Sequence, residues 1–298
     1  MKFIIFFFVL LIFFSNLVAD LTTGLVAHYP FNGNADDESG NGNHGTVYDA
    51  ILTNDRFENP NSAYTFGVNR AIQIPNSNSL QIENQITMAG WIKCTSSYYY
   101  YESIFCKGHT SSMESPYALL LNNQSIALLL DRTEYYSLSP VPSNQWVHIA
   151  ITWNGSQIYF FINGEKDASM PIHSSPLSTS TGDFMIAKDP PGVTEWFNGD
   201  LDDMYLYNRA LSETEIQSLY LLGTILPPNN VEITIATDSV QISWDAASGA
   251  TSYKIYSSDI PDDDFFNWTL EESGIIGLSW TKLLNNEPKK FYFVKAQN

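Results

Sequence analysis

The chain has 298 residues, of which 15% are charged and 14% aromatic, and its formal net charge is −18 from 14 basic and 32 acidic side chains. That much apolar surface offsets chain entropy and argues against disorder. The acidic balance argues against a sequence-independent grip on nucleic acid or anionic lipid, which needs Lys and Arg to displace counterions.

Met1–Lys2 precede twelve uninterrupted apolar residues, Phe3 to Phe14, and a short stretch ending at Ala19. A membrane span needs about 20 apolar residues. The shorter run behind one basic residue reads as a secretory signal peptide over residues 1–19, cleaved after Ala19. Leu17 is large for its position before such a site, which keeps an uncleaved anchor as the alternative. No later stretch is long and apolar enough to span a membrane, so the expected location is extracellular or at the cell surface.

From residue 24 onward, short apolar runs alternate with turn residues. They predict strands over Leu25–Tyr29, Ala63–Phe66, Ala71–Ile74, Thr87–Lys93, Ser103–Lys107, Tyr117–Leu121 and Ile126–Leu130. Further strands are predicted over Trp146–Trp153, Gln157–Ile162, Phe184–Lys188 and Leu201–Tyr207. Asn154-Gly155 and Asn163-Gly164 are tight-hairpin signals, and strands at this spacing mean an all-β sandwich or barrel. Cys94 and Cys106 flank a Tyr/Ser-rich stretch. In an oxidising compartment a disulfide between them would close a short loop. The alternative is two free thiols held too far apart to bond.

One helix interrupts the strands. Ser212 and Glu215 have capping-box spacing, Ile216, Leu219 and Tyr220 share one face, and Gly223 supplies the stop. A strand-rich domain over 20–223 is thus followed by a Pro-rich linker, 224–230, in which Pro227-Pro228 cannot continue the helix. Residues 231–298 return to alternation at Val231–Ala236, Val240–Trp244, Ser252–Ser257 and Phe291–Ala296. Both parts of the chain carry an acidic excess.

Gly24-Leu-Val-Ala-His-Tyr-Pro-Phe-Asn-Gly-Asn34 and Asp37-Glu-Ser-Gly-Asn-Gly-Asn-His-Gly45 resemble the opening of laminin G-like, concanavalin A-like jelly rolls of bacterial surface proteins. Met88-Ala-Gly-Trp-Ile92, Gln145-Trp-Val-His-Ile-Ala150 and the closing run from Phe197 to Ile216 follow in that family's order. The resemblance covers nearly all of residues 20–222. The run from Val240 to Tyr256 and Phe291–Ala296 resemble the B–C and F strands of a fibronectin type III-like module. With no counterpart of a final strand, that module is truncated, completed by a partner strand, or a reduced variant. Such an open edge invites strand pairing.

The resemblance carries chemistry as well as fold. Similar laminin G-like domains hold a structural calcium between first loop and last strand. By motif this points to Asp37 and Asp202, supplemented by Asn41 or Asn43, because calcium wants six to eight hard oxygens. The alternative is that these residues make turns and bond their own backbone. Related glucanases carry Glu-x-Asp-x-x-Glu on one strand face, and no such run occurs here, so no catalytic residue is assigned. His148 lies in an apolar strand and reads as a core residue. Tyr98, Tyr99, Tyr100 and Tyr101, with Tyr135, its neighbour Tyr136 and Trp196, are candidate stacking platforms for sugar rings. Consecutive tyrosines in a strand alternate faces, so some of them are equally readable as packing. The function that follows is non-catalytic binding of a polysaccharide or glycoconjugate, with an extracellular protein partner as the alternative and a glycosidase third.

Overall fold

The computed structural model describes residues 20–95, 101–108, 115–171, 176–189, 195–223, 228–236, 238–247, 249–260, 268–283 and 290–297. The expected signal peptide and Tyr98–Tyr100 lie outside them. The chain divides into two compact units, Met1–Tyr220 and Leu221–Asn298.

The first unit is a two-sheet sandwich. Its strands begin with β1 (Leu25–Tyr29), β2 (Thr46–Tyr48), β3 (Ile51–Thr53), β4 (Ala63–Phe66) and β5 (Ala71–Ile74). Next come β6 (Ile86–Cys94), β7 (Tyr101–Lys107), β8 (Tyr117–Asn122), β9 (Ser125–Leu130) and β10 (Thr133–Pro140). The last are β11 (Val147–Trp153), β12 (Gln157–Ile162), β13 (Glu165–Pro171), β14 (Phe184–Ile186) and β15 (Gly199–Tyr207), followed by α1 (Glu213–Leu221). An eight-stranded sheet runs β13-β12-β11-β6-β15-β4-β3, with β1 also paired to β15. A seven-stranded sheet runs β10-β9-β8-β7-β14-β5-β2. Hairpin pairs such as β7-β8-β9-β10 and β11-β12-β13 are joined by pairings between strands distant in sequence, β1 and β4 with β15, β6 with β11 and β15, and β14 with β5 and β7.

The two inner faces make one core, to which β11 gives Val147, Ile149, Ile151 and Trp153, and β6 gives Ile86, Met88, Ile92 and Cys94. The other residues of these strands are buried too, so the pattern reads as continuous rather than alternating. The cause is a second layer. Ile216 and Leu219 of α1 pack with Ala89, Ala150, Phe161, Tyr205 and Tyr207 on the outer face of the eight-stranded sheet. The predicted cap forms: Ser212 N donates to Glu215 Oε2 at 2.8 Å and Glu215 N donates to Ser212 Oγ at 3.3 Å. Arg209 braces Glu215 at 2.8 Å.

Turn chemistry follows the sequence at one hairpin and departs from it at the other. Asn163 (φ 51) and Gly164 (φ 78) both take the left-handed conformation that a two-residue hairpin needs. At Asn154-Gly155 only Gly155 is left-handed, because the loop holds three residues and the Asn154 side chain accepts from the backbone of Ser156 and Gln157. Strands β2, β3, β10 and β13 were not expected from the sequence. They are short or polar, and cross-strand pairing rather than hydrophobic period defines them.

The second unit has β16 (Glu232–Ile235), β17 (Ser239–Ser243), β18 (Ser252–Ser258), β19 (Thr269–Ile275), β20 (Ser279–Leu283) and β21 (Phe291–Gln297). They form two three-stranded sheets, β16-β17-β20 and β19-β18-β21. Val240, Ile242, Trp244, Tyr253, Ile255, Trp280 and Val294 fill its small core. Trp280 Nε1 donates to Glu272 at 2.7 Å, which satisfies the indole at the core margin.

His148 is a core residue under α1, packed on Trp91 and Tyr220, and neither ring nitrogen has a hydrogen-bond partner. Burial pushes its imidazole down to about 3, with the Arg56 charge acting in the same direction. The folded protein therefore keeps His148 neutral where the unfolded chain protonates it. The associated stability is complete above pH 6.5 and is lost as pH falls from 6.5 toward about 3. Denaturant titrations across that window are expected to give His148→Phe a shallower pH slope than the parent, by up to about 1.4 kcal/mol per pH unit. Equal slopes would show that His148 is not the titrating group.

Candidate functional site

The first loop is held by its own hydrogen bonds. Asp37 is buried, and its Oδ1 accepts from the backbone of His28 and Ser39 at 3.0 and 2.9 Å. Its Oδ2 accepts from Ser39 Oγ and Asn43 N, both at 2.9 Å. Asn41 and Asn43 turn their amide nitrogens toward the Val26 carbonyl, and the Asn43 Oδ1 accepts from Ser77 and Ser79. Asp202 is elsewhere occupied, with Oδ2 at 2.6 Å from Arg56 Nη1. Asp37, Asn41 and Asn43 thus share one hydrogen-bonded network with Ser39 and the Val26 carbonyl, whereas Asp202 is paired with Arg56. Bonds of the Asx-turn kind hold the loop.

Asp202 and its neighbour form a buried cluster that the sequence did not reveal. Successive strand residues normally face opposite ways, but β15 shifts register between Asp202 and Tyr205, and Asp203 sits at φ 45. Both carboxylates therefore reach Arg56 Nη1, Asp203 at 2.8 Å. A Cβ on the facing Gly90 would lie 2.3 Å from Met204 Sδ, so a side chain there would have to displace Met204 from the core. The Arg56 guanidinium lies over the rings of Trp91 and Phe57 at 4.7 and 4.4 Å. His28 stacks on Tyr205 with centroids 4.2 Å apart and places Nε2 3.5 Å from Asp203. Burial and the Asp203 charge push the Asp202 carboxyl up. At Asp203 the hydrogen bonds from His28 and Arg56 outweigh burial and hold the carboxyl down. This cluster joins α1 in sealing the outer face of the eight-stranded sheet.

The expected disulfide is a correction. Cys94 and Cys106 are both free and buried. Cys94 ends β6 and faces the core between the sheets, whereas Cys106, on β7 of the other sheet, faces outward with Ala118, Leu120 and Ala127. Burial pushes the Cys94 thiol up to about 11 and raises that of Cys106 as well, which leaves both as unreactive packing groups.

The outer face of the seven-stranded sheet gathers the aromatic candidates. Tyr101 opposes Asn122, and Ser103 opposes Leu120, so both lie on the side of that outward cluster. On β10, Glu134 and Tyr136 pair with Leu129 and Ala127 and share it. Trp196 bridges Ser103 while its neighbour Phe197 enters the core. Lys188 Nζ lies 4.7 Å from the Trp196 ring centroid. Tyr101 OH donates to Glu134 Oε2 at 2.9 Å, Tyr136 OH donates to the same oxygen, and Asn122 Nδ2 donates to Tyr136 OH at 3.3 Å. Half-buried Tyr101 and Tyr136 thus stand over a floor of small and aliphatic residues with their hydroxyls fixed by one carboxylate. Burial, reinforced by the charges of Asp189 and Glu134, pushes the Glu195 carboxyl up to about 7.

Tyr101 and Trp196 therefore fall on one face as candidates, and Tyr135 does not, since its ring packs against the inter-sheet core. Its neighbour Tyr136 takes the outer position. Alternation along β10 required one of the two to face outward, but only the register with β9 decides which. Glu134, Asn122, Lys188 and Glu195 carried no motif and were not foreseen.

Two stacked antiparallel sheets with one helix over an outer face define a jelly-roll protein of the lectin and glucanase type. Residues 66–217 match the concanavalin A-like lectin/glucanases superfamily, just over half of the chain, and the chain belongs to that superfamily. Human usherin is 30% identical over 89 residues, which is 28% of this chain and 2% of usherin's length. Domain 4 of the extracellular arabinanase AbnA from Geobacillus stearothermophilus, solved with arabinotriose, has a TM-score of 0.54 at 19% identity. It covers 66% of this chain and 98% of its own. The receptor-binding domain of botulinum neurotoxin C/D mosaic serotype has a TM-score of 0.56 at 15% identity, covering 85% of this chain and 70% of its own. At such identities the likeness to these structures concerns fold alone.

Replacing the Asp37 carboxylate would take the acceptor from three backbone N–H groups, those of His28, Ser39 and Asn43, and Asp37→Ala is expected to cost about 3 kcal/mol of stability. Melting in the presence of calcium and of chelator tests the expected structural metal: a calcium-dependent rise in midpoint supports it at this loop, and one midpoint in both removes it.

Proposed function

We propose that the first unit is a non-catalytic, extracellular carbohydrate-binding module that takes polysaccharide or glycoconjugate on the outer face of its seven-stranded sheet. The observation that carries this reading is the grouping of Tyr101, Tyr136 and Trp196 on one face with fixed polar groups between them. Aromatic rings stack on the apolar faces of sugars, while Glu134 and Asn122 offer an acceptor and a donor to hydroxyls. Because Glu134 is tethered by two phenols, less side-chain freedom is lost on binding. The arabinotriose complex of the AbnA domain supports a saccharide ligand for a fold of this kind. Superfamily membership alone supports no particular ligand, since one sandwich hosts many functions.

A panel of neutral soluble polysaccharides, assayed by calorimetry against the full chain, tests the reading. Binding to one class is expected, and Trp196→Ala or Tyr136→Ala should weaken it about tenfold or more with an unchanged melting midpoint. Full affinity in both variants would move the ligand off this face. Saturable binding of a protein partner that no sugar displaces would favour the adhesion reading instead.

A further inference from the structure

We propose that this face selects glycans bearing free, protonated amino groups over neutral and anionic ones, with Glu134 as the carboxylate that meets the ammonium. The inference rests on the carbohydrate reading above and specifies its ligand class.

Three carboxylates stand at the platform. Glu134 is exposed, and both phenols approach through the same oxygen, Oε2. Asp189 lies against the outward Cys106, its Oδ1 3.7 Å from the thiol sulfur. Glu195 follows through its backbone, which accepts from Ser103 N at 3.3 Å, and its carboxyl feels the charges of both Asp189 and Glu134. Against them stands Lys188, already committed to the Trp196 ring. Glu134 and Asp189 place negative charge where a ligand would stack and would repel a uronate or sulfated sugar, while the raised Glu195 gains its charge as a cation approaches.

Two further observations point to a ligand of saccharide size rather than an ion. Ser103, placed between Tyr101 and Trp196 on this face, is fully buried and its hydroxyl has no hydrogen-bond partner. An unpaired buried hydroxyl is costly, and a polyol settling between the two rings would offer it a partner. Among the described residues no three His, Cys, Asp or Glu side chains come close enough to hold a metal ion. The charge is instead spread across the platform, which suits amines carried on successive rings of a chain. Mutual repulsion, together with burial, has already raised the Glu195 carboxyl, and a bound ammonium would relieve that repulsion.

The test compares three hexasaccharide-length probes by calorimetry on the full chain at about pH 6.5, below the ordinary range of an amine. They are a glucosamine hexamer, its N-acetylated counterpart and a galacturonate oligomer. The glucosamine hexamer is expected to bind about tenfold more tightly than the N-acetylated one, the uronate not at all. Raising salt to about 1 M, where screening reaches within about 3 Å, should erase most of the difference. Glu134→Gln, with an unchanged melting midpoint, should bring the two hexamers to similar affinity. Equal or tighter binding of the neutral hexamer, or a preference that survives Glu134→Gln, overturns the inference while the carbohydrate reading stands. Oligolysine binding as tightly as the glucosamine hexamer also overturns it, as mere charge attraction. If neither these probes nor the neutral panel bind, both readings fall together.

Discussion

The first unit depends on how a two-layer sandwich disposes of its outer faces. Each sheet buries one side against the other, and the core between them needs nothing further. On the eight-stranded sheet the second side is sealed as well, by the apolar face of α1 and by Arg56 held between Asp202 and Asp203. That seal requires a register shift in β15, a left-handed Asp203 and a glycine at position 90 to make room. The part of the closing motif that carries Asp202 and Asp203 is thereby explained as architecture. With one outer face committed to packing, the other carries the aromatic cluster proposed as the ligand platform.

The character of that platform follows from the same economy of space. Its floor is made of Ala118, Leu120 and Ala127, which lets Tyr101 and Tyr136 lie close over the sheet. Their hydroxyls then need a partner, and Glu134 supplies one to both. The carboxylate that organises the rings also charges the surface, and Asp189 and Glu195 add to it. Shape and electrostatics are in this sense one feature, which ties the proposed sugar binding to a preference for cationic sugars.

Much of the fold was legible because local chemistry repeats it. The capping box at Ser212 and Glu215, the Asn163-Gly164 hairpin and the apolar runs of β6, β8, β9 and β11 form as their residues dictate. The polar edge strands were not legible, since β10 and β13 owe their existence to neighbours already in place. The platform was half legible. Tyr101 and Trp196 could be picked out as aromatic residues in loop-like stretches, whereas the exchange of Tyr135 for Tyr136 depended on a register that no local signal records. The two cysteines, only eleven intervening residues apart, invited a disulfide, but Cys94 faces the inter-sheet core and Cys106 the outer face of the other sheet.

By itself the sequence determined the all-β class, the two-part organisation of strands around a Pro-rich stretch, the single capped helix and the motifs shared with laminin G-like jelly rolls. Each of these is written in short-range patterns of period, turn residues and spacing. Only the tertiary structure decided that Asp37 serves its own loop, that Asp202 answers to Arg56, and that Glu134, Tyr136 and Trp196 meet on one face. Those outcomes turn on which strands become neighbours and in what register. In a sandwich with one buried face to each sheet, a one-residue slip would send every side chain of a strand to the opposite face.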